Sequence, residues 1–498
     1  VRDRNGGRRL GKQWPVAAVV LFFPLVGGVV ALSGTGSTQA AEVSATARTI
    51  TGTPAPSTTI REIGLVTLPR DATPDSFQIV SSKGIQAAGV IHSTVGGFRF
   101  PDGTLQTTAA TTAPITTGPT GSPDAFTAQL QRLHPDIVVV NRSGGGHPTI
   151  ASALQSISDA GPGKPYLVYV APGTYREQVR MKPYVVLEGA GKERTTIAAP
   201  SGGTGAATIV GAAGATLRNL TVESTGGGDL AVAVRSAAGR LTLDSVRVVA
   251  HDGKRTTIAI AKDAGALDLR NVTAEASGGD EAYGVRSQGA TALSLAKAVL
   301  RATGAARQNV GLSVAGVAGS KLEMTDVELE ASGAASFNTG ALCEGIHDLF
   351  LDGVRARATS AAVINEAFAI GPAAEADTAP ARIIGLWATA TGGEVARGLS
   401  VEARSVVARS SQLVAEGAGN STGLWIRDGI VTGEQHTIRL LSSTVVADGQ
   451  TVWSEAPDAA VVIGQSTLEG GPVLADRGVI SCAATIDKEW GFHPEGCP

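Results

Sequence analysis

Cysteine is scarce, with three in 498 residues. That excludes a disulfide-dense small-domain framework and a Cys-rich metal array. Aromatic residues make up 4% and charged residues 17%, the latter against ~25% in an average globular chain. So few rings argue against a long sugar-stacking groove. A formal net charge of −3 leaves no basic footprint for nucleic acid. After Val16–Leu32 there is no apolar run long enough to span a bilayer. What the chain has instead is glycine, 64 residues of it. Glycine weakens a helix interior by ~1 kcal/mol relative to alanine, so the composition argues against a helical bundle. The length suits two or three domains of ~150 residues, or one long solenoid.

The start of the chain has the layout of an export signal. Arg2, Arg4, Arg8, Arg9 and Lys12 precede the apolar run, and small residues follow up to Ala40 and Ala41. Residues 1–41 are therefore expected to be a signal peptide cleaved near Ala40 or Ala41. An uncleaved anchor is the rival reading, because the run nears the ~17-residue lower limit for a membrane span. Either way the expected location is extracellular or at the cell surface, with no span in the mature chain. In that oxidising setting Cys482 and Cys497 are expected to form a disulfide closing a short C-terminal loop. Cys343 is left as a small buried hydrophobe.

Residues 42–106 read as a small β-rich module with a flexible start. The string Gly97-Phe98-Arg99-Phe100-Pro101-Asp102-Gly103-Thr104-Leu105-Gln106-Thr107 predicts a hairpin, since the glycine supplies the positive φ of a tight turn. It resembles hairpins of phage tail-fibre and bacterial surface proteins, which implies a homotrimer as one assembly. Residues 107–134, rich in Thr, Pro and Gly, read as a linker.

Residues 135–498 repeat. Leu220, Val246, Val272, Ala298, Val327 and Val354 recur at steps of 26 to 29 residues. Three positions earlier stand Leu217, Leu243, Leu269, Leu295, Met324 and Leu351. Two positions later stand Val222, Val248, Ala274, Leu300, Leu329 and Ala356. Just before the column come Asn219, Ser245, Asn271, Lys297, Asp326 and Gly353, mostly turn formers. Each unit thus reads as strand, corner, strand with alternate residues inward. Leu386, Leu413 and Val445 are expected to continue the column. A second strand family aligns Asn309–Gly316 with Asn338–Gly345, which places Cys343 at the inward position of Val314. Such units cannot bury their own apolar faces and must stack. The fold class expected is all-β, a right-handed parallel β-helix of about a dozen turns at ~4.8 Å. A helix over 149–160 is expected to cap it, with Thr149 as N-cap and Gly161 as the stop.

The stretch Pro148-Thr149-Ile150, Val170-Ala171-Pro172-Gly173-Thr174-Tyr175-Arg176-Glu177-Gln178-Val179 and Leu187-Glu188-Gly189-Ala190-Gly191 through Thr195-Thr196-Ile197 resembles the N-terminal part of the pectin methylesterase (pectinesterase) family, of pectin lyase-like fold. The resemblance implies a parallel β-helix and hydrolysis of methyl esters on a galacturonan. That activity uses an aspartate nucleophile, an aspartate acid/base, oxyanion-stabilising glutamines and an arginine. At the matching positions Leu230 replaces a glutamine, Asp252 replaces another and Gly253 replaces the acid/base. Asp280 matches the nucleophile only after a one-residue shift. The family's motifs are degenerate here.

Three readings follow. The preferred one is a surface or secreted β-helix protein that binds or presents carbohydrate without the family's catalysis. The second is a divergent carbohydrate esterase using Asp252 and Asp280. The third is a structural stalk or trimeric fibre. Trp425 and Trp453, placed one turn apart on an outward face, are the candidate sugar contacts. The expected partner is a polysaccharide or cell-envelope glycan. No cofactor and no metal are expected, because the seven His residues are scattered away from cysteines.

Overall fold

The computed structural model describes residues 136–201, 206–237, 239–373, 379–428, 435–487, 489 and 491–497, together with strand segments 30–33, 41–43, 58–60, 78–81, 98–99 and 105–106. The chain divides into two units, Val1–Thr120 and Gly121–Pro498. In the first, Val30–Ser33 pairs antiparallel with Gln78–Ser81, Ala41–Val43 pairs parallel with Thr58–Ile60, and Phe98–Arg99 pairs antiparallel with Leu105–Gln106. The last pair flanks the expected hairpin turn, which itself lies outside the described residues. So do the remaining residues of the expected signal and linker.

The second unit is a right-handed parallel β-solenoid of about 12 turns. Every described strand-to-strand pairing from Ile137–Val140 to the last turn is parallel, except the final pair of Val479–Asp487 with Phe492–Glu495. The repeat found in the sequence is the register of the sheet. Leu217, Leu243 and Leu269 stand in line on successive turns, as do Val222, Val248 and Ala274. The corner between these strands is a single residue in the left-handed region. Asn219, Ser245, Asn271, Lys297 and Asp326 have φ of 52 to 57°, and Gly353 has 64°. Asn and Asp tolerate this conformation, and Lys297 adopts it at the ~1 kcal/mol cost of a Cβ there. The corner turns the next residue inward, so Leu220, Val246, Val272, Ala298, Val327 and Val354 are all at most 1% exposed.

The later corners depart from the expected column. Gly385, Ser410, Ser442 and Gln465 are the left-handed residues, so Leu386 keeps its place but Ser411, Ser443 and Ser466 follow it. Leu413 and Val445 belong two positions on, in line with Ala388 and Leu468. The serines form a ladder. Ser411 Oγ accepts from Leu386 N–H, Ser443 Oγ from Ser411 N–H and Ser466 Oγ from Ser443 N–H, at 3.1 to 3.3 Å. Each hydroxyl satisfies a corner amide one turn back, which a search for apolar residues cannot see.

A second polar column runs through the core. Asn309, Asn338 and Asn365 are fully buried and in register. Asn309 Nδ2 donates to Asn338 Oδ1 at 3.1 Å, and Asn338 Nδ2 donates to Asn365 Oδ1 at 3.4 Å. Each also accepts from the backbone N–H four residues earlier. Two residues on, the strand passes close to the strand of Glu330. A Cβ on Gly311 would meet Gly340 O at 2.6 Å and Glu330 N at 3.2 Å, so that column is Gly or Ala.

The N-terminal helix, α1, spans Ile150–Ser156, with Thr149 Oγ1 accepting from Ser152 N–H. Its buried Ile150, Ala153 and Leu154 join the core cluster of the first turns. It ends at Ile157, not at Gly161 as the sequence suggested. Ile157 turns extended, and its carbonyl accepts from Lys182 Nζ. Gly161 instead forms a tight turn with Lys164. At the other end Cys482 and Cys497 are bonded. Cys343 is 1% exposed beside Val314's position, and burial pushes its thiol up to about 12.

Candidate functional site

The motifs that carry the family resemblance fold the first turns. Glu177, from the strand-turn-strand motif, accepts from the N–H groups of Ile150 and Ala151 through its two carboxylate oxygens, both at 2.9 Å. It is the acidic partner of the helix start. Tyr175 is buried, and its hydroxyl donates to Ala171 O at 3.0 Å. Thr195 is buried, and its Oγ1 accepts from Ala190 N–H.

The positions where the family keeps its chemistry lie on the turns that follow the corner strands. Leu230 packs on an outer apolar patch with Val232, Ile258, Tyr283 and Val310. Gly253 is buried, and a Cβ there would stand 2.4 Å from Thr256 O and 2.9 Å from Thr257 Oγ1. No side chain fits without moving backbone, so an acid/base carboxylate has no room.

Asp252 and Asp280 fall at different register positions. Asp252 has φ of 59° and its N–H donates to Ser277 O, which sets it beside Gly278 on the next turn. Asp280 follows Arg255, whose carbonyl accepts its N–H at 2.8 Å, and precedes Arg307. Asp229, Arg255, Asp280 and Arg307 thus alternate acid and base along one exposed column. The side chain of Asp252 turns elsewhere. His251 Nδ1 lies 2.7 Å from Asp252 Oδ2, and Nε2 lies 3.2 Å from Glu223 Oε1. Burial alone would lower the imidazole pKa, but the hydrogen bonds and charges of the two carboxylates outweigh it and raise it above its ordinary 6.5.

Sequence reasoning missed Glu223 and His251. The signal was present, since Glu223 lies one turn before Val249 and so two residues short of His251 in register. Beside Glu223 lies a shallow cavity of about 240 Å³, lined by Arg176, Gln178, Pro200 and Thr225. Among the described residues no group of three or more His, Cys, Asp or Glu is placed to hold a metal ion. Likewise no described helix is long and apolar enough to cross a membrane.

The two tryptophans meet as the spacing predicts. Trp425 and Trp453 are in register, with ring centroids 6.0 Å apart and planes at 21°. Arg397 stacks on Trp425 from the preceding turn, its guanidinium carbon 3.6 Å from the centroid. Trp425 is only 8% exposed, and its Nε1 donates to Glu455. Its ring is used within the protein, so it offers no open face to a sugar, contrary to the expected role. Around it Glu366 accepts from Ser400 Oγ, and Glu402 pairs with Arg427 at 3.1 Å.

The fold and these positions define the class as a right-handed parallel β-solenoid with a pectinesterase-like beginning. The family model described as Pectinesterase matches residues 136–256, the stretch that holds the sequence motifs and the first turns. No curated protein matches the chain. Among solved structures, the A-module of a mannuronan C-5 epimerase from Azotobacter vinelandii aligns at TM-score 0.44 and 14% identity, covering 68% of this chain and 94% of that one. A pectin methylesterase from Erwinia chrysanthemi aligns at 0.20 and 10%, covering 73% and 85%. A thermostable α-1,3-glucanase catalytic unit from Streptomyces thermodiastaticus aligns at 0.33 and 13%, covering 67% and 65%.

Proposed function

We propose that this chain is an exported β-solenoid that binds polysaccharide on its outer surface and does not carry out the ester hydrolysis of the pectinesterase family. The observation that carries the reading is Gly253, walled in by Thr256 and Thr257 where the family keeps its acid/base carboxylate. Leu230, at a glutamine position, has no hydrogen to donate to an oxyanion. Export is supported by the basic start, the apolar run after it and the Cys482–Cys497 bond, which persists in an oxidising compartment. Affinity electrophoresis of the full chain in gels carrying different glycans tests the binding. Retardation on at least one glycan is expected, and free migration on all of them overturns the reading.

A divergent esterase has one observation in its favour, the Glu223–His251–Asp252 chain beside a cavity. With a carboxylate on each ring nitrogen, His251 is held as a charged link and has no free nitrogen to take a proton from a nucleophile. A trimeric stalk has in its favour the antiparallel pairing of Phe98–Arg99 with Leu105–Gln106. The mass of the full chain in solution decides it, and a monomer removes it.

A further inference from the structure

The outer surface changes character along the solenoid. Before Glu330 several outer arginines meet carboxylates. Arg247 pairs with Glu275 at 2.7 Å, and Arg301 reaches Glu275, Glu328 and Glu330 at 3.5, 4.0 and 3.1 Å. On the next turn the columns of Glu328 and Glu330 switch from acid to base. Arg355 and Arg357 follow Glu328 and Glu330 in register, and Arg409 and Arg439 stand on later turns. All four are exposed, and none forms an ion pair among the described residues. Acids share this surface: Asp348, 3.6 Å from Arg382, then Asp352, Glu416 and Glu469.

Apolar rings lie among these cations. Arg355 stands over the Trp387 ring at 4.7 Å, and Arg382 stands over the Phe350 ring at 5.2 Å. Trp387 leans over the corner at Gly385 and stays 39% exposed, and Ile384 across the corner is 45% exposed. This contrasts with Trp425, which its neighbours cover. An exposed tryptophan under an unpaired guanidinium group is a poor solvated surface and a good match for a sugar ring carrying anionic groups. The repeat adds a spacing. Arg382 and Arg439 stand in one column with Val407 between them, two turns or ~10 Å apart, and Arg409 lies on the middle turn two residues further along the strand. That interval is about the length of two pyranose units in an extended chain.

We propose that the corner surface around Trp387, with Arg355, Arg357, Arg382, Arg409 and Arg439, binds a linear acidic polysaccharide lying along the solenoid axis. Trp387 and Ile384 contact the ring faces, and the guanidinium groups pair with carboxylates or sulfates on alternate sugars. This rests on the polysaccharide-binding reading and places it on a surface distant in sequence from Asp252 and Asp280.

The test is calorimetric titration of the full chain with a carboxylated uronan, a sulfated glycosaminoglycan and neutral dextran, at low and at physiological salt. The wild type should bind at least one acidic polymer, more weakly at higher salt, and should ignore dextran. Binding to the uronan alone assigns carboxylate as the anion, and binding to the sulfated polymer alone assigns sulfate. Both support the site. Trp387→Ala should weaken binding about tenfold, and the double change Arg382→Glu with Arg409→Glu should abolish it. These side chains are exposed, and unchanged circular dichroism and melting show that the fold is kept. Arg247→Glu, upstream, should bind as the wild type does. Wild-type binding unaffected by either downstream change overturns this site while leaving the general reading intact. Absence of wild-type binding to any glycan overturns both.

Discussion

The turns before Glu330 and the turns after Val354 solve the same structural problem with different chemistry. Upstream, each corner buries an aliphatic residue, and Arg247 and Arg301 meet carboxylates of neighbouring turns. Downstream, the corner column passes to Ser411, Ser443 and Ser466, and arginines stand unpaired beside aromatic rings. Stacking demands only that the backbone repeat and that the interior be filled or hydrogen-bonded. Where hydrocarbon does this the sequence repeats visibly. Where hydroxyls and amides do it the repeat disappears from a hydropathy reading while the register continues.

The largest expected effect lies where the two regions meet. Asn338 joins the asparagine ladder through four hydrogen bonds. Asn338→Ala should lower stability by about 2–4 kcal/mol, read from the urea midpoint, because it strands buried partners on both neighbouring turns. A loss under 1 kcal/mol would mean that the ladder does not hold the regions together.

Lys262, upstream, is 1% exposed, with its ammonium bonded to Ser236 Oγ and Gly239 O. Burial holds its pKa down to about 8 against the pull of Asp263. The folded value lies below the unfolded 10.5, so the unfolded chain binds more protons between the two. Stability attributable to this group therefore rises as pH goes from about 8 towards 10.5. Lys262→Met should flatten that rise and add about 1–3 kcal/mol at pH 7, measured as urea midpoints across pH.

Ser443→Ala sharpens the comparison downstream. It leaves the Ser411 N–H without its acceptor, for a loss of about 1–2 kcal/mol. Val445, although expected to share that column, is an ordinary inward residue.

The smallest effect belongs to His251. Its folded pKa is raised, so its contribution is complete below the ordinary value of 6.5 and is lost as pH rises through the folded value. With Asp252 largely exposed, His251→Ala should cost roughly 0.5 kcal/mol or less at pH 5.5 and nothing at pH 9, measured by thermal melts at the two pH values.

Much of the scaffold was legible because it rests on apolar periodicity and turn chemistry. The corner residues Asn219 to Gly353, the helix face of Ile150, Ala153 and Leu154, and the inward place of Cys343 all follow from residue type and spacing. The helix end was not, because Lys182 reaches the Ile157 carbonyl from 25 residues away. The serine corners were hidden because polar residues there serve the backbone. The site was less legible still. Spacing put Trp425 beside Trp453, but only the register shows Arg397 covering the ring. Likewise Glu223 and His251 become neighbours only when one turn is laid on the next.

The central proposal is that Gly253, at the position matched to the pectinesterase acid/base group, leaves no room for a carboxylate. Release of methanol from highly methylated pectin by the full chain tests it most directly. The account predicts none above the buffer blank, from the wild type and from Asp252→Asn alike. Sustained release that Asp252→Asn abolishes would contradict it.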